Sequence, residues 1–499
     1  MFGTFMEVLD TTVVNVSLPH IAATMSATID EATWVLTSYL VANAIILPMT
    51  GWLAANFGRK RLLMLSVTGF TVSSFLCGIA PNLGALILFR ILQGATGGAL
   101  QPLSQAVLLE SFEPHERGKA MGFWGLGIVV APILGPVVGG WLTDSYSWRW
   151  VFYINLPVGI ASIIMTNMFV FDPPYLRRET ERIDYWGIGM LVVGIGALQY
   201  VLDKGQEVDW FSNTAILTLS IISGVTLLIL IIHEWTTEHP IIDLRVFKER
   251  SYATGVFMMT MLGFVLYGSM VLLPVMLQTL LGYPSMQAGI AMAPRGMGSL
   301  VFMPIVGFLT SKVDVRKLLA CGFTVAGLTL IWLGSLNLNA GYWDIFWPQL
   351  LQGTGMALTF VPLTTATMQA IPPQRMGNAT SLFNLMRNIG GSVGIAVTGT
   401  MLTRQRQTVA ARLGENINIY DPQTQTVLAQ MKAAFMARGV DAVTATERAY
   451  AALHGFLLQQ ASMVSFVWLF RLLGGIFLML LPLIFIMRRP KGRVAAAAH

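Results

Sequence analysis

Two carboxylic acids and an arginine occupy stretches of the sequence that are otherwise apolar. Glu7 and Asp10 lie in the run that opens the chain, and Arg90 lies in another. An ionisable side chain inside an apolar segment is costly to bury, so such residues usually serve a function. A medium of low dielectric constant favours the neutral form of a carboxyl group, which can then gain and lose a proton near neutral pH. These residues therefore predict reversible proton binding.

The spacing of the two acids places them on one side of a helix. Asp10 comes nine residues before Pro19 at the predicted outer end, about 14 Å at helical rise and so near the middle of a membrane. Glu7 and Asp10 are three residues apart and share a helix face, so ionising one makes ionising the other harder. The alternatives are a neutral Asp10 hydrogen-bonded to a neighbouring helix and a Glu7 nearer the lipid headgroups.

Arg90 belongs to a polar stripe on one helical face that also contains Gln93, Gly94, Gly97 and Gln101. Such a stripe must face protein or water and not lipid. Arg90 is the natural partner for a carboxylate of the first helix, held when the acid is ionised and released when it is protonated. A fixed structural ion pair is the alternative, and the sequence leaves open which carboxylate pairs with Arg90.

The composition indicates a membrane protein with helices able to carry such residues. Of 499 residues, 55% are hydrophobic and 11% are charged, where a soluble protein carries roughly 25% charged residues. Fourteen membrane helices need about 280 apolar residues, which fits. The composition excludes a soluble enzyme, a disordered chain and a nucleic-acid binder. Cys77 and Cys321 lie in apolar runs, so neither predicts a disulfide or a metal site, and no cofactor is expected.

The apolar runs number fourteen, near residues 1–22, 33–55, 62–80, 83–108, 120–143, 150–171, 185–202, 212–232, 252–281, 286–310, 318–338, 345–370, 378–403 and 464–487. With both termini in the cytoplasm, two of the 31 Lys and Arg residues fall in short outer loops, and this bias predicts the orientation. Nineteen fall on the cytoplasmic side: Arg59, Lys60, Arg61, Arg117, Lys119, Arg177, Arg178, Arg182, Arg245, Lys248, Arg250, Lys312, Arg316, Lys317, Arg375, Arg488, Arg489, Lys491 and Arg493.

An internal repeat relates the two ends of the chain. The segments that begin at Gly51 and Gly307 match at an offset of 256, Gln93-Gly94 matches Gln352-Gly353 at 259, and Pro114–Arg117 matches Pro372–Arg375 at 258. Parallel repeats of six helices are the plan of the major facilitator superfamily. We therefore predict an all-α membrane protein with a six-helix bundle at 1–172, two inserted helices within 173–250 and a second six-helix bundle at 251–490.

The segment 404–463 is the only sizeable part predicted outside the membrane. Asp421-Pro422 signals the start of a helix that runs through Arg438, and a second helix begins at about Ala442. Apolar residues recur there at helical spacing. This spacing predicts either a small helical hairpin on the outer face or a docking surface for a partner.

Several motifs resemble those of the fourteen-helix drug:proton antiporters of the major facilitator superfamily, most closely the EmrB type of multidrug exporter. The resemblance covers essentially the whole chain. One departure is Ala55, where the family's loop motif usually has Asp. The family-like stretches are Leu9–Pro19, Gly51–Arg61, Arg90–Gly94 with Gly97-Gly98, Ala131–Gly140, Trp148–Pro157 and Asn384–Gly391.

The motifs also contain residues whose expected role is structural or conformational. On the fifth helix, small residues at intervals of four allow close helix packing, and two prolines allow a bend. The resemblance implies that this fifth-helix motif accompanies export and not uptake. The residues in this class are Gly51, Gly58, Arg59, Arg61 and Arg117 in the loop motifs and Gly127, Ala131, Pro132, Gly135, Pro136 and Gly139 on the fifth helix.

Two further cations, Arg295 and Arg387, lie in apolar runs of the second half. The resemblance places the tenth helix beside a central cavity, so we expect Arg295 to contact substrate. Arg387 lies about ten residues past the inner end of the thirteenth run and is therefore deep. We expect Arg387, Gln93 and Gln101 to contact substrate as well. Binding to backbone carbonyls of broken helices is the alternative for both arginines.

The resemblance implies a proton-driven exporter of amphipathic, often cationic drugs in a bacterial inner membrane. It also implies a periplasmic adaptor of the EmrA type and an outer-membrane channel as partners. A narrow-specificity exporter or a proton symporter of the same fold is the alternative. An ATP-driven pump is disfavoured because the chain has no G-x-x-x-x-G-K-[ST] motif. A membrane enzyme is disfavoured because H-E-x-x-H and G-x-S-x-G are absent, and the repeat argues against a channel.

Overall fold

The computed structural model is all-helical over the residues that it describes, which are 1–113, 115–172, 184–237, 240–415, 417–418 and 420–486. Pro114, Arg177, Arg178, Arg182 and the four basic residues beyond 487 lie outside these ranges. The described helices are α1 Phe2–Thr24, α2 Ile29–Phe57, α3 Arg59–Gly78, α4 Leu83–Gly97, α5 Leu100–Ser111, α6 Arg117–Ser145, α7 Trp150–Tyr153, α8 Asn155–Phe169, α9 Tyr185–Lys204, α10 Thr214–Thr236, α11 Arg250–Thr279, α12 Ser285–Leu309, α13 Val315–Leu333, α14 Tyr342–Gln369, α15 Met376–Glu415, α16 Pro422–Met436 and α17 Ala442–Met479.

Ten helical segments in the described part of the chain are long and apolar enough to cross a membrane, and the bent helix α6 makes an eleventh. The other long helices are α1, α14 and α15, which carry many of the polar residues discussed below. The multi-pass character is thus confirmed. The count of fourteen spans is consistent with these helices and stays a prediction.

Side chains that accept hydrogen bonds cap the starts of several helices, because the first backbone N–H groups of a helix lack partners within it. Thr28 and Glu31 form a capping box at the start of α2, and the Asn82 side chain accepts from the Ala85 N–H at 2.8 Å at the start of α4. Gly58 joins α2 to α3 at φ +85°, a backbone conformation that favours glycine. These local signals set where the apolar helices begin and turn.

Helices α1–α8 form one group, which we call the amino-terminal group, and α11–α17 form the carboxyl-terminal group. The two groups meet at two corresponding places. A Cβ added at Gly51 of α2 would lie 2.8 Å from the Asn378 nitrogen at the start of α15, and one added at Gly307 of α12 would lie 2.6 Å from the Gly118 oxygen of α6. Residues 51 and 307 are equivalent in the sequence repeat, as are 118 and 376. The contacts therefore repeat as the sequence does.

These contacts lie at the end of the molecule that carries Arg59, Lys119 and Arg375, which we call the basic face. There Asn378 Nδ2 also donates to the Asp243 carbonyl at 2.8 Å, and Arg375 pairs with Asp243 at 3.7 Å. The structure is closed between the two groups at the basic face.

Helices α9 and α10 pack on each other outside the two groups, and α9 contacts both. Lys204 Nζ donates to Thr33 Oγ1 of α2 at 2.6 Å, and Gln199 Nε2 donates to Ser392 Oγ of α15 at 3.1 Å. Just beyond α9, Trp210 Nε1 donates to Thr400 Oγ1 at 2.7 Å. Helix α9 and the residues just beyond it therefore connect the two groups along the line between α2 and α15.

Beyond the opposite end of the molecule, α15 and α17 continue and α16 packs against α17. The Asp441 carboxylate caps α17 by accepting from the N–H groups of Val443 at 3.1 Å and Thr444 at 3.0 Å. The N–H groups and the hydroxyl of Thr444 hold the pKa of Asp441 below its ordinary value. A depressed pKa means that the cap stabilises the folded state at neutral pH and is lost as the pH falls through that lowered value.

Asp441→Ala is therefore expected to fray the start of α17, because its first N–H groups lose their acceptor. Hydrogen–deuterium exchange at Val443 and Thr444 should become severalfold faster at neutral pH. Asp441→Asn keeps an oxygen acceptor and serves as the matched control, with near-parental exchange. Equal exchange in the alanine variant and the parent would show that the cap does not stabilise this helix start.

Candidate functional site

Asp10 lies at the centre of a buried polar cluster, and its side chain is fully buried. Its Oδ2 accepts from Arg90 Nη1 at 2.5 Å, while its Oδ1 accepts from Gln93 Nε2 at 3.1 Å and from Asn155 Nδ2 at 2.7 Å. The sequence left open which acid pairs with Arg90, and in the structure it is Asp10. Both carboxylate oxygens therefore accept hydrogen bonds from buried donors.

The guanidinium group of Arg90 is also fully buried and is fixed from several sides. Its Nε donates to the Val35 carbonyl at 3.0 Å, and its Nη1 also donates to Gln93 Oε1 at 2.8 Å. The group lies over the Tyr39 ring, 4.1 Å from the centroid, a favourable cation–π arrangement. Nη2 has no hydrogen-bond partner among the described residues.

Glycines of α4 allow its polar stripe to reach the cluster. A Cβ on Gly94 would overlap the Tyr39 carbonyl, so α4 and α2 touch backbone to backbone. The helix is interrupted between Gly97 and Leu100, which puts Gln101 on α5. All members of the predicted stripe are buried: Arg90, Gln93, Gly94, Gly97 and Gln101.

The polar residues that the sequence reasoning missed lie inside apolar runs and bear no formal charge. Asn155 belongs to the family-like stretch Trp148–Pro157, yet only the structure shows it bonded to Asp10. Its Nδ2 also lies 3.0 Å from Ser74 Oγ of α3. An amide in an apolar run was the available signal, and spacing alone could not give its partner. Tyr39, Asn43, Gln105 and Asn384 were missed for the same reason.

Glu7 lies on the same side of α1 as Asp10, and its side chain is 4% exposed. Its Oε1 accepts from Asn43 Nδ2 of α2 at 2.9 Å. Gln101 and Arg387, which the sequence proposed separately, are brought together here, because Arg387 Nη2 donates to Gln101 Oε1. The charge of Arg387 also acts on Glu7. This second cluster therefore joins the two groups of helices.

Arg295 lies elsewhere, at the crossing of α12 and α14. It is 3% exposed, and its backbone carbonyl packs directly against Gly353. One turn further along, Ser299 Oγ donates to the Gly353 carbonyl at 3.0 Å. On α14, Gln349 Nε2 donates to Gln352 Oε1 at 3.2 Å. The structure does not bring Arg295 into the Asp10 cluster.

The small-residue stripe of α6 packs against α1 within the amino-terminal group. Gly127, Gly135 and Gly139 face Phe5, Thr12 and Val13 of α1, respectively. Ala131 is buried, and α6 bends by 46° between Pro132 and Val137, as proline in a helix predicts. The Pro136 side chain lies outside the described part of the structure. Contact with α12 is made by a different set of glycines: Gly118, Gly122 and Gly125.

The loop motif contributes an ion pair within the amino-terminal group. Arg59 is 3% exposed and pairs with Glu110 at the end of α5. Ala55, the departure from the family pattern, is exposed, as is Arg61. Arg117 begins α6. The buried charge pair at the basic face is therefore Arg59–Glu110.

The arrangement suits proton exchange better than bond-making chemistry. A buried carboxylate held by an arginine and two amides loses its charge on protonation, and the arginine then loses its counter-ion. Among the described residues, the structure has no group of three His, Cys, Asp or Glu residues that could hold a metal ion.

Comparison with known proteins places this geometry in a family. The model of the Major Facilitator Superfamily matches residues 1–395. The chain is 37% identical over 491 residues to the Multidrug export protein EmrB of Escherichia coli strain K12, covering 98% of this chain and 94% of that protein. It is 38% identical over 491 residues to the Fatty acid resistance protein FarB of Neisseria gonorrhoeae, covering 97% and 94%.

The fold agrees with a solved structure of low sequence similarity. The crystal structure of the human organic anion transporter MFSD10 superposes with a TM-score of 0.60 at 13% identity, covering 97% of each chain. The resemblance to EmrB-type exporters that the motifs indicate is confirmed over nearly the whole sequence. Because the family model matches residues 1–395, the chain belongs to the major facilitator superfamily.

Proposed function

We propose that this protein is a proton-coupled exporter of amphipathic, often cationic compounds, in which drug leaves as protons enter. The protein is a multidrug efflux transporter and not an enzyme, because relatives named multidrug export proteins match it over most of its length. The proton as coupling ion and the role of each residue are the parts that we propose.

The observation that carries the proposal is the buried pair Asp10–Arg90. The carboxylate accepts from Arg90, Gln93 and Asn155, so it needs no further partner while ionised. Taking up a proton removes the attraction to Arg90 and leaves a buried cation without its counter-ion, which costs several kcal/mol. A protonation step at Asp10 therefore changes the relative stability of conformations, as a coupled transporter requires.

The orientation that we propose follows the positive charges. We place the basic face in the cytoplasm, with both termini there, in the inner membrane of a bacterium. The helical segment 404–463 then lies outside that membrane. With this orientation the structure represents a conformation closed towards the cytoplasm.

We further propose that export continues through a periplasmic adaptor of the EmrA type and an outer-membrane channel. The support is the similarity to EmrB and the exposed helical segment 404–463, in which α16 has no buried residue. Substrate contacts are proposed for Gln93, Gln101, Arg295 and Arg387, of which Gln93, Gln101 and Arg387 belong to the two polar clusters.

The test is drug-driven proton release from everted membrane vesicles with an imposed pH gradient. Asp10→Asn is expected to abolish the drug-induced proton flux, because asparagine keeps the shape of the side chain and one acceptor oxygen but cannot be ionised. The protein should still reach the membrane in normal amounts. Clamping the pH gradient should sustain export after ATP is depleted, and collapsing the gradient should stop it.

The matched control is Asp144→Asn, which removes an exposed carboxylate of α6 with a side-chain exposure of 75% and should transport as the parent does. Full proton coupling in Asp10→Asn would reject the role of Asp10. Loss of export under a clamped gradient would instead indicate an ATP-dependent accessory.

A further inference from the structure

The two acids of α1 differ in which helices hold them. The hydrogen-bond partners of Asp10 are Arg90, Gln93 and Asn155, and all three belong to the amino-terminal group. Protonating Asp10 therefore changes interactions inside one group. It breaks no direct contact between the two groups, whose relative movement alternating access requires.

Glu7, one turn closer to the start of α1, lies where the groups meet. Asn43 of α2 donates to its Oε1 at 2.9 Å, whereas its buried Oε2 has no hydrogen-bond partner in the described part of the chain. A buried carboxylate oxygen without a partner is costly. This oxygen is available to a donor that the other group supplies.

Arg387 of α15 is the donor with spare capacity. It is 1% exposed, and its Nη2 donates to Gln101 Oε1 of α5, in the opposite group. Nε and Nη1 are buried and have no hydrogen-bond partner among the described residues. Thr4, three residues before Glu7, donates to the Leu100 carbonyl next to Gln101 at 3.5 Å, so α1 meets α5 at this point. The Arg387 charge and the Gln101 amide both act on Glu7.

A second contact between α5 and α15, one helical turn away, supports this meeting of the two groups. Asn384, one turn before Arg387, donates to Gln105 Oε1, one turn after Gln101, at 2.6 Å. Both residues are fully buried. The crossing of α5 and α15 is thus held by two polar contacts between the groups, and Glu7 supplies the negative charge beside them.

We propose that Glu7 and Arg387 form the charge latch that couples proton binding to movement of the two groups. The proposal rests on the proposed proton-coupled transport. Ionised Glu7 attracts Arg387 and, through Gln101, holds α15 against α5 with the basic face closed. Protonated Glu7 no longer attracts Arg387, so the closed arrangement is weakened and the basic face opens. Asp10 then serves as the proton site held within the amino-terminal group.

Other charged and titratable groups act on Glu7 and set the strength of the latch. Asp10, on the same helix, is a like charge that disfavours ionised Glu7, although Arg90 offsets it. On α2 the Tyr39 hydroxyl is buried and interacts electrostatically with both acids. From α5, Gln101 contributes only its uncharged amide. From α15, Arg387 supplies the positive charge.

The experiment follows opening of the basic face with a single reporter cysteine. Thr310→Cys is introduced where α12 meets Gly118 of α6, in a transport-competent background in which Cys77 and Cys321 are replaced by serine. A membrane-impermeant maleimide is applied to everted vesicles over a range of pH. Labelling at each pH is divided by that of a cysteine placed at the exposed Ser311, because the reactive thiolate becomes scarcer as the pH falls. This normalised labelling of the parent should rise as the pH falls, because protonation releases the latch.

Glu7→Gln mimics the protonated acid and is expected to label strongly with its pH dependence lost. Arg387→Gln removes the positive partner and should give the same result. The two variants change different helices, so the test still works if one of them fails to fold. Glu7→Asp restores a carboxylate and should restore pH-dependent labelling. In Asp10→Asn labelling should still rise as the pH falls, because Glu7 and Arg387 are intact, although proton-coupled export is lost.

Parental pH dependence in both Glu7→Gln and Arg387→Gln would overturn the latch. Such a result with normal drug-driven proton flux in the parent would leave the proposed antiport intact. Absence of that flux in the parent protein would instead reject the proposed antiport itself. The two failures are therefore distinguishable.

Discussion

Arg90→Gln will destabilise the protein by about 3–5 kcal/mol and abolish proton-coupled export, because it leaves the Asp10 carboxylate buried without its counter-ion. Arg90 and Asp10 are both fully buried and their charged groups are 2.5 Å apart. Thermal unfolding of purified protein in detergent, together with export in everted vesicles, measures the two effects.

The double variant Asp10→Asn with Arg90→Gln separates stability from coupling. Two neutral amides can hydrogen-bond at the site, so most of the lost stability should return, while proton coupling should not. The control is Arg471→Gln, which removes an exposed arginine whose Nε donates to the Gly334 carbonyl at 2.8 Å. If Arg90→Gln is as stable as this control, the pair does not stabilise the fold.

Gly122→Leu is expected to prevent closure of the basic face and so arrest the transport cycle. A Cβ at Gly122 would lie 2.7 Å from the Met303 carbonyl of α12 and 3.4 Å from the Gly307 Cα. Both are backbone atoms, so the helices must move apart. Overpacking of this kind costs about 1–3 kcal/mol. This contact belongs to the closed arrangement, so we expect that cost to shift the equilibrium about 5- to 150-fold towards the open one.

The measurement is the distance between spin labels at Glu113 and Ser311, two exposed residues on the loops next to this contact. The labels should be further apart in Gly122→Leu than in the parent, and export should be lost. Gly140→Leu is the matched control on the same helix, since a Cβ there meets no atom within 4 Å. An unchanged distance with normal export would show that α6 and α12 need not pack this closely.

Residue types and their order predicted much of the molecule. Apolar runs predicted the helices, and α6 and α11 come out within a few residues of the predicted runs. Offsets of 256–259 predicted two repeated halves, which stay a prediction, and in the structure Gly51 and Gly307 make similar close contacts with the other group of helices. The prolines of the fifth helix predicted a bend, which the structure has in α6. These features are local or periodic, so the order of residues along the chain is enough to show them.

The partners of the charged side chains could not be predicted in the same way. Asp10 and Asn155 are 145 positions apart and touch only because α1 and α8 pack together. Arg387 and Gln101 are 286 positions apart, and the sequence treated them as separate substrate contacts. Spacing gives the face of a helix on which a residue lies but not which other helix that face meets.

The order of residues was enough to predict a multi-pass helical membrane protein with acids and arginines inside its apolar segments, because charged residues stand out in such segments. The resemblance of its motifs to a known family predicted a transporter. Helix packing was needed to show that the hydrogen-bond partners of Asp10 lie in its own group of helices, while the charge of Arg387 from the other group acts on Glu7. That distinction depends on helix packing, in which side chains far apart along the chain satisfy one another's hydrogen bonds.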